Sequence, residues 1–197
     1  MEEEVAVTEP TETTEPTSMP EVCVCYLIKE DESGRAQVLL GRKKFGMGEG
    51  RLVGPGGKLA PGETPREAMV REVEEEVGLF VDPSDLELVG ELDYPFPHHP
   101  RFSQKSWVFI ARTFSGDVRE SNELEPVWVH VDSIPLERMW DDARYWLPET
   151  LSLPSSASTD TRTAVRATFT FGEDARTVES SDHPGFAAAR LLLDGEV

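Results

Sequence analysis

Between Gly57 and Leu79 the chain reads GKLAPGETPREAMVREVEEEVGL, and this stretch limits the possible folds more than any other. Thr64 and Glu67 form a T-x-x-E capping box, Pro65 falls at the first helical position and Gly78 supplies a left-handed stop. The sequence therefore predicts a helix over 65–77. Met69, Val73 and Val77 recur at four-residue steps and make its buried stripe, while Glu72, Glu75 and Glu76 stand at i, i+3 and i+4 on another face. That acidic face is expected to be exposed. Like charges at this spacing cost roughly a few tenths of a kcal/mol per pair on an isolated helix, and most glutamate runs are simply solvated faces. Here the glycine-rich approach and Arg71 argue for more. A hard cation such as Mg²⁺ takes about six oxygen ligands, keeps some waters, and bridges one or two carboxylates to substrate phosphates. Glu74 is read as an ordinary solvated residue.

The balance of charge narrows the partner. The 197-residue chain carries a net charge of −19, which excludes a nucleic-acid polymer as ligand, because neutralising phosphates along a duplex needs a basic surface. Positive charge is instead local: Arg42, Lys43, Lys44, Arg51 and Lys58 face only Glu49 between residues 42 and 58. This is where a small phosphorylated ligand belongs. Cys23 and Cys25, the only cysteines, lie two apart in an apolar strand and read as buried thiols of a reducing compartment. The N-terminus has neither a basic nor an apolar leader segment, and no apolar run is long enough for a bilayer. A monomeric cytoplasmic protein with no membrane partner is expected.

Along the chain, residues 1–20 hold six glutamates, six threonines or serines, three prolines and no base, the composition of a disordered tail. The folded domain is placed at 21–182 and a C-terminal extension at 183–197. Residues 21–28 and 37–40 read as a hairpin around Gly34. Residues 45–58 contain six glycines in fourteen, which lets backbone N–H groups approach phosphate oxygens. Residues 86–92, 106–112 and 127–131 read as strands, with a loop at 94–101 whose His98 and His99 lack companions for a metal site. A helix begins near Asp141 or Asp142 as N-cap within the aromatic segment 134–151, and 153–163 is a Ser/Thr linker. Val165, Ala167, Phe169 and Phe171 alternate with polar residues and can pair with 176–180 as a terminal hairpin; the apolar run 186–193 could dock as a helix.

Gly57, Glu63, Arg71, Glu72, Val73, Glu75, Glu76, Gly78 and Leu79 satisfy every defined position of G-x5-E-x7-R-E-U-x-E-E-x-G-U, where U is bulky and apolar. With seven identities and two apolar positions, a chance match is on the order of one in a billion per starting point. This is the Nudix box. From about Val22 to Ser180 the chain resembles the MutT-like branch of the Nudix family that hydrolyses oxidised purine nucleoside triphosphates. The likeness outside the box is most visible in LLGRKKFGMGEGRLVGPGGK, ESNELEPVW and IPLERMWDDARYWLP.

The resemblance implies an α/β fold, an α/β/α sandwich around a mixed sheet. It implies that Glu72, Glu75 and Glu76, with main-chain oxygen at Gly56 or Gly57, hold Mg²⁺ or Mn²⁺, and that Glu123 is a downstream metal glutamate. Arg71 would orient the box carboxylates, and Lys43 and Lys58 would contact the nucleotide. Trp140 matches the wall of the base pocket, with Tyr145 and Trp146 nearby, and Asp142 matches one of two adjacent acids that read the purine edge. The second acid falls on Ala143, unless Asp141 replaces it. Val53 and Pro55 are taken as pocket residues, although Val53 stands where the family has asparagine; Met47 and Leu52 likewise replace a phenylalanine and a tryptophan. Oxidation at purine C8 turns N7 from an acceptor into an N–H donor, so a carboxylate can accept from the damaged base.

The resulting expectation is hydrolysis of an oxidised purine nucleoside triphosphate, of the 8-oxo-dGTP type, to monophosphate and pyrophosphate in nucleotide-pool sanitation. Glu75, Glu76, Arg71 and Glu123 are the catalytic candidates. An undamaged dNTP, a nucleoside diphosphate sugar or a dinucleoside polyphosphate is the alternative substrate, and Tyr94 with Pro95 lies where such branches place a Tyr or Pro. A non-catalytic binding module would be marked by loss of a box carboxylate or of Arg71, and none is lost.

Overall fold

The structure is a computed structural model of the chain and describes residues 19–152 and 164–187. The order of elements is β1 (Glu21–Glu30), β2 (Ala36–Lys43), β3 (Leu52–Val53), β4 (Gly56–Lys58), α1 (Pro65–Val77), β5 (Leu79–Phe80), β6 (Leu86–Tyr94), β7 (Gln104–Ala111), β8 (Ser115–Gly116), β9 (Leu124–His130), α2 (Ala143–Leu151), β10 (Val165–Phe171) and β11 (Val178–Ser181). The main sheet runs β11-β10-β6-β7-β1-β2-β3, with β4 also on β1 and β9 also on β2, while β5 and β8 form a separate ribbon. The β1–β7 and β10–β6 pairs are parallel and the other pairs of the main sheet antiparallel, so the sheet is mixed.

β1 organises the fold. One edge pairs with β7 from Glu21 to Leu27, while the other is shared: Val22–Val24 pair with β4 and Ile28–Glu30 with β2. This split seats the glycine loop between β3 and β4 against the middle of the sheet, where Cys25 N donates to Pro55 O at 2.9 Å. The period of two along β1 sends Cys23, Cys25 and Leu27 to one face and Tyr26 and Ile28 to the other. The first face packs against Met69, Val73 and Val77 of α1, and the second against Trp146, Leu147 and Leu151 of α2. The result is an α/β/α sandwich with two cores. Each fully buried aliphatic side chain adds about 1.5–3 kcal/mol. Both cysteines are buried free thiols.

α1 spans the residues the sequence predicts. Thr64 accepts from Glu67 N, the Glu67 carboxylate accepts from Thr64 N at 2.8 Å, and Gly78 closes the helix at φ 72°. The hairpins β1–β2 and β10–β11 also form as expected, the second with an irregularity near Phe171. Tyr94, read as a loop residue, is instead the last residue of β6, because a bulge between Leu88 and Gly90 carries the pairing with β7 to Gln104.

The expected N-cap holds in position, since Asp142 occupies the N-cap of α2, but not in chemistry. Asp142 precedes α2 but is already helical, at φ −61°, and makes no cap bond, because buried donors elsewhere claim its carboxylate. At the ends, Lys105 N donates to Pro20 O, and Phe186 packs into the α2-side core against Tyr145. The linker 153–163, the tail 1–18 and residues 188–193 of the apolar run lie outside the described residues. No helix among the described residues is long and apolar enough to cross a membrane.

Candidate active site

Arg71 is the hub of the acidic side of α1. Its guanidinium makes a two-pronged contact to Glu63, with Nε to Oε1 at 2.9 Å and Nη2 to Oε2 at 2.8 Å. Nη1 reaches Glu72 Oε1 at 2.7 Å and Glu75 Oε2 at 3.2 Å, and Nη2 also donates to Lys58 O at 3.1 Å. One planar cation thus ties the loop after β4 to the helix, the bidentate geometry that arginine supports and lysine does not. These bonds and the Ala60 N–H hold the Glu63 carboxyl down to about 2.

The three box glutamates do not share an exposed face. Glu75 does, with its side chain 60% exposed, but Glu72 is 13% exposed and Glu76 is 5% exposed as a residue. The reason is the loop packed over them. Gly56 N donates to Glu76 Oε2 at 2.7 Å, and a Cβ on Gly56 would lie 2.1 Å from Cys23 O, so only glycine lets the strand lie this close, while a Cβ on Gly57 would lie 2.3 Å from Glu72 Oε1 and displace that carboxylate. Burial pushes the Glu76 carboxyl up to about 7, against the Gly56 N–H and Lys43, which pull it down. Burial also raises Glu72, against Arg71, and Glu123 adds repulsion to both glutamates.

That repulsion tests the site for a metal. The desolvated carboxylates of Glu72 and Glu76 repel each other and are repelled by Glu123, and Gly57 clears space beside Glu72. Among the described residues, no three His, Cys, Asp or Glu side chains close up into a preformed cage. This arrangement fits a Mg²⁺-like ion, which takes few protein carboxylates and keeps waters and substrate phosphates as further ligands. Glu123 sits on an exposed loop clamped by Lys44, whose backbone N–H donates to Glu123 O at 2.9 Å and whose ammonium pairs with Glu120 and with Ser121 O.

The basic stretch separates into two groups. Arg42 pairs with Glu125, Lys44 with Glu120, and Arg51 donates to Met139 O and lies 4.4 Å above the Trp140 ring. Lys43 and Lys58 show no ion pair among the described residues, so they, rather than all five bases, are the cations available to phosphate. Pro55 is buried with its carbonyl committed to β1, and Val53 packs beside the α1-side core rather than in the aromatic cluster around Trp140.

That cluster lies on the other face of the sheet. Trp140 meets Phe96 and Phe171 edge-on, with centroids 6.4 and 5.7 Å away, and Gly48 of the glycine loop lies directly beside its ring. Asp142 is 4% exposed, and its Oδ2 accepts from Tyr94 Oη at 2.8 Å and from Trp146 Nε1 at 2.9 Å. Burial raises its carboxyl, opposed by those two donors. Asp141 is committed elsewhere, accepting from Val178 N at 2.9 Å and pairing with Arg144 at 2.8 Å. Trp146 is a core residue and Ala143 is buried, so a single acid faces the interior here. Sequence reasoning missed Phe96, Phe171 and the Tyr94 hydroxyl. Their distance along the chain from Trp140 and Asp142 left no periodic signal to find them by.

A glycine loop braced on an arginine–glutamate hub, with buried carboxylates beside Lys43, is an arrangement suited to hydrolysis of diphosphate linkages. The chain belongs to the Nudix family: the NUDIX domain model matches residues 17–150, and the protein is a Nudix pyrophosphohydrolase. It is 41% identical over 112 residues to the oxidized purine nucleoside triphosphate hydrolase of Mus musculus, covering 57% of this chain and 70% of that protein. It is 49% identical over 67 residues to the 8-oxo-dGTP diphosphatase of Escherichia coli (strain K12), covering 34% of this chain and 48% of that protein. The crystal structure of the MutT protein from Bacillus halodurans shares the fold, with a TM-score of 0.64 at 24% identity over 83% of this chain and 96% of that one.

Proposed function

We propose that the protein is a Mg²⁺- or Mn²⁺-dependent nucleoside triphosphate diphosphatase that converts oxidised purine nucleotides, of the 8-oxo-dGTP type, to monophosphate and pyrophosphate. In this reading it acts as a monomer in the cytoplasm and clears damaged precursors before they enter DNA. The observation that carries the choice of base is the buried Asp142 carboxylate, two residues from Trp140 in the aromatic cluster. An anionic acceptor there rewards a purine edge with an N–H donor and penalises one with a lone pair. The names of the two relatives point the same way.

Glu72, Glu76 and Glu123, with Glu75 at the rim, would hold the divalent ion. When bound, the ion supplies charge stabilisation at the phosphoryl oxygens. Arg71 keeps Glu72 and Glu75 oriented while Glu63 anchors it from the loop side. Lys43 and Lys58 bind the polyphosphate and balance the charge that grows on the departing group. A carboxylate of this group, Glu76 or Glu123, takes the proton of the attacking water. Ala143 in place of a second acid favours one further reading, a Nudix hydrolase of another nucleoside diphosphate compound. The deciding experiment is turnover of 8-oxo-dGTP, dGTP, nucleoside diphosphate sugars and dinucleoside polyphosphates by the purified chain with Mg²⁺, with products separated. A kcat/KM for 8-oxo-dGTP no higher than for the others would reject the assignment.

A further inference from the structure

Two donors converge on one oxygen of Asp142. Tyr94 Oη and Trp146 Nε1 both bond to Oδ2, whereas Oδ1 receives no side-chain donor among the described residues. The two donors are not equivalent. A tyrosine hydroxyl can turn and accept, but an indole N–H can only donate. A proton on Oδ2 would oblige the Tyr94 hydroxyl to turn and accept it, and would leave the Trp146 N–H on a weaker acceptor, so Oδ1 is the favoured atom for protonation. The same atom presents a lone pair when the group is ionised and an O–H when it is neutral.

Tyr94 is held for this contact. Its ring stacks on Phe169 at 6.3 Å and packs against Phe171 at 6.2 Å, and burial keeps its own hydroxyl protonated. The other groups whose charge Asp142 feels, or which feel it, are Asp141, the Tyr26 hydroxyl and Arg51. Asp141 opposes ionisation of Asp142 and Arg51 favours it. Against burial, the Trp146 N–H, the Tyr94 hydroxyl and the residue's own backbone N–H favour the ionised form, and of these donors Tyr94 alone can turn away.

We propose that Tyr94 sets the choice of base: its hydroxyl pins Oδ2 of Asp142, keeps the carboxylate an acceptor, and leaves Oδ1 to select purines that present an N–H donor. This rests on the reading of Asp142 as the residue that meets the base. Tyr94 is a positioning residue, since it acts through Asp142.

The test compares kcat/KM against pH for 8-oxo-dGTP and dGTP in the wild type, Tyr94→Phe and Asp142→Asn, with carboxyl-carbon NMR titration of ligand-free full-length protein. In Tyr94→Phe the Asp142 titration and the acid limb for 8-oxo-dGTP both move up by about one pH unit, and discrimination against dGTP falls about tenfold at acidic pH. In Asp142→Asn the pinned position demands the amide oxygen, which turns the amide N–H₂ toward the base and carries preference toward dGTP. Unchanged pH profiles and discrimination in Tyr94→Phe, with a wild type that does prefer 8-oxo-dGTP, overturn the role of Tyr94 and leave the proposed function standing. A wild type without that preference overturns both. Should Tyr94→Phe fold poorly, Asp142→Asn decides: retained wild-type discrimination there overturns the proposal.

Discussion

Glu76 gives a stability prediction that runs against the usual behaviour of a site carboxylate. It is 5% exposed, and burial lifts its carboxyl from 4.5 to about 7. Below pH 4.5 both the folded and unfolded chains carry the proton, and Glu76 costs nothing. As pH rises toward 7 the unfolded chain ionises while the folded chain holds its proton, so stability is lost across that window and stays lost above it. A shift of this size corresponds to about 3 kcal/mol, or about 6–12 °C in Tm for a domain of this size. Glu76→Gln keeps an oxygen for the Gly56 N–H and removes the charge. In EDTA, melting curves taken from pH 4.5 to 8 (about one unit past the Glu76 midpoint) should show the wild type falling relative to Glu76→Gln. Added Mg²⁺ should restore the wild type and not the variant, whose kcat is lower by about a hundredfold. Parallel melting curves for the two proteins across the window would refute the argument that burial of charge, relieved by a cation, defines this residue.

Glu75→Gln should lower kcat by about a hundredfold with Tm unchanged, because its side chain is 60% exposed and loses no packing; a fall in Tm would show that it has a structural role. Gly57→Ala should cut activity and weaken Mg²⁺ binding by calorimetry, since the new Cβ would sit 2.3 Å from Glu72 Oε1; normal Mg²⁺ affinity would dismiss Gly57 as the spacer of the site. Asp142→Ala should reduce kcat/KM for 8-oxo-dGTP by about 10- to 100-fold more than for dGTP, as the base donor is left unpaired. Trp140→Ala should raise KM for both nucleotides by a similar factor, and equal KM values in variant and wild type would remove Trp140 from the pocket wall.

What the sequence determined by itself was local. The helix over 65–77 was legible to its caps because capping chemistry, the Pro65 start and the Gly78 stop all act within a few residues. The two hairpins and the inward pair Cys23 and Cys25 followed from a period of two, and the box glutamates and Arg71 from a pattern complete in one segment. The tertiary structure decided the rest, because it depends on which distant segment lies over a side chain. Glu75 and Glu76 are neighbours in sequence, yet the β4 strand buries one and leaves the other in water. Arg42, Lys44 and Arg51 look like phosphate ligands by charge alone, until Glu125, Glu120 and the Trp140 segment fold against them. Resemblance marks Asp142 in the sequence as a base-reading acid, but that it is a buried acceptor with one oxygen pinned depends on Trp146 and on Tyr94, which lies 48 residues away on the strand that carries the β-bulge.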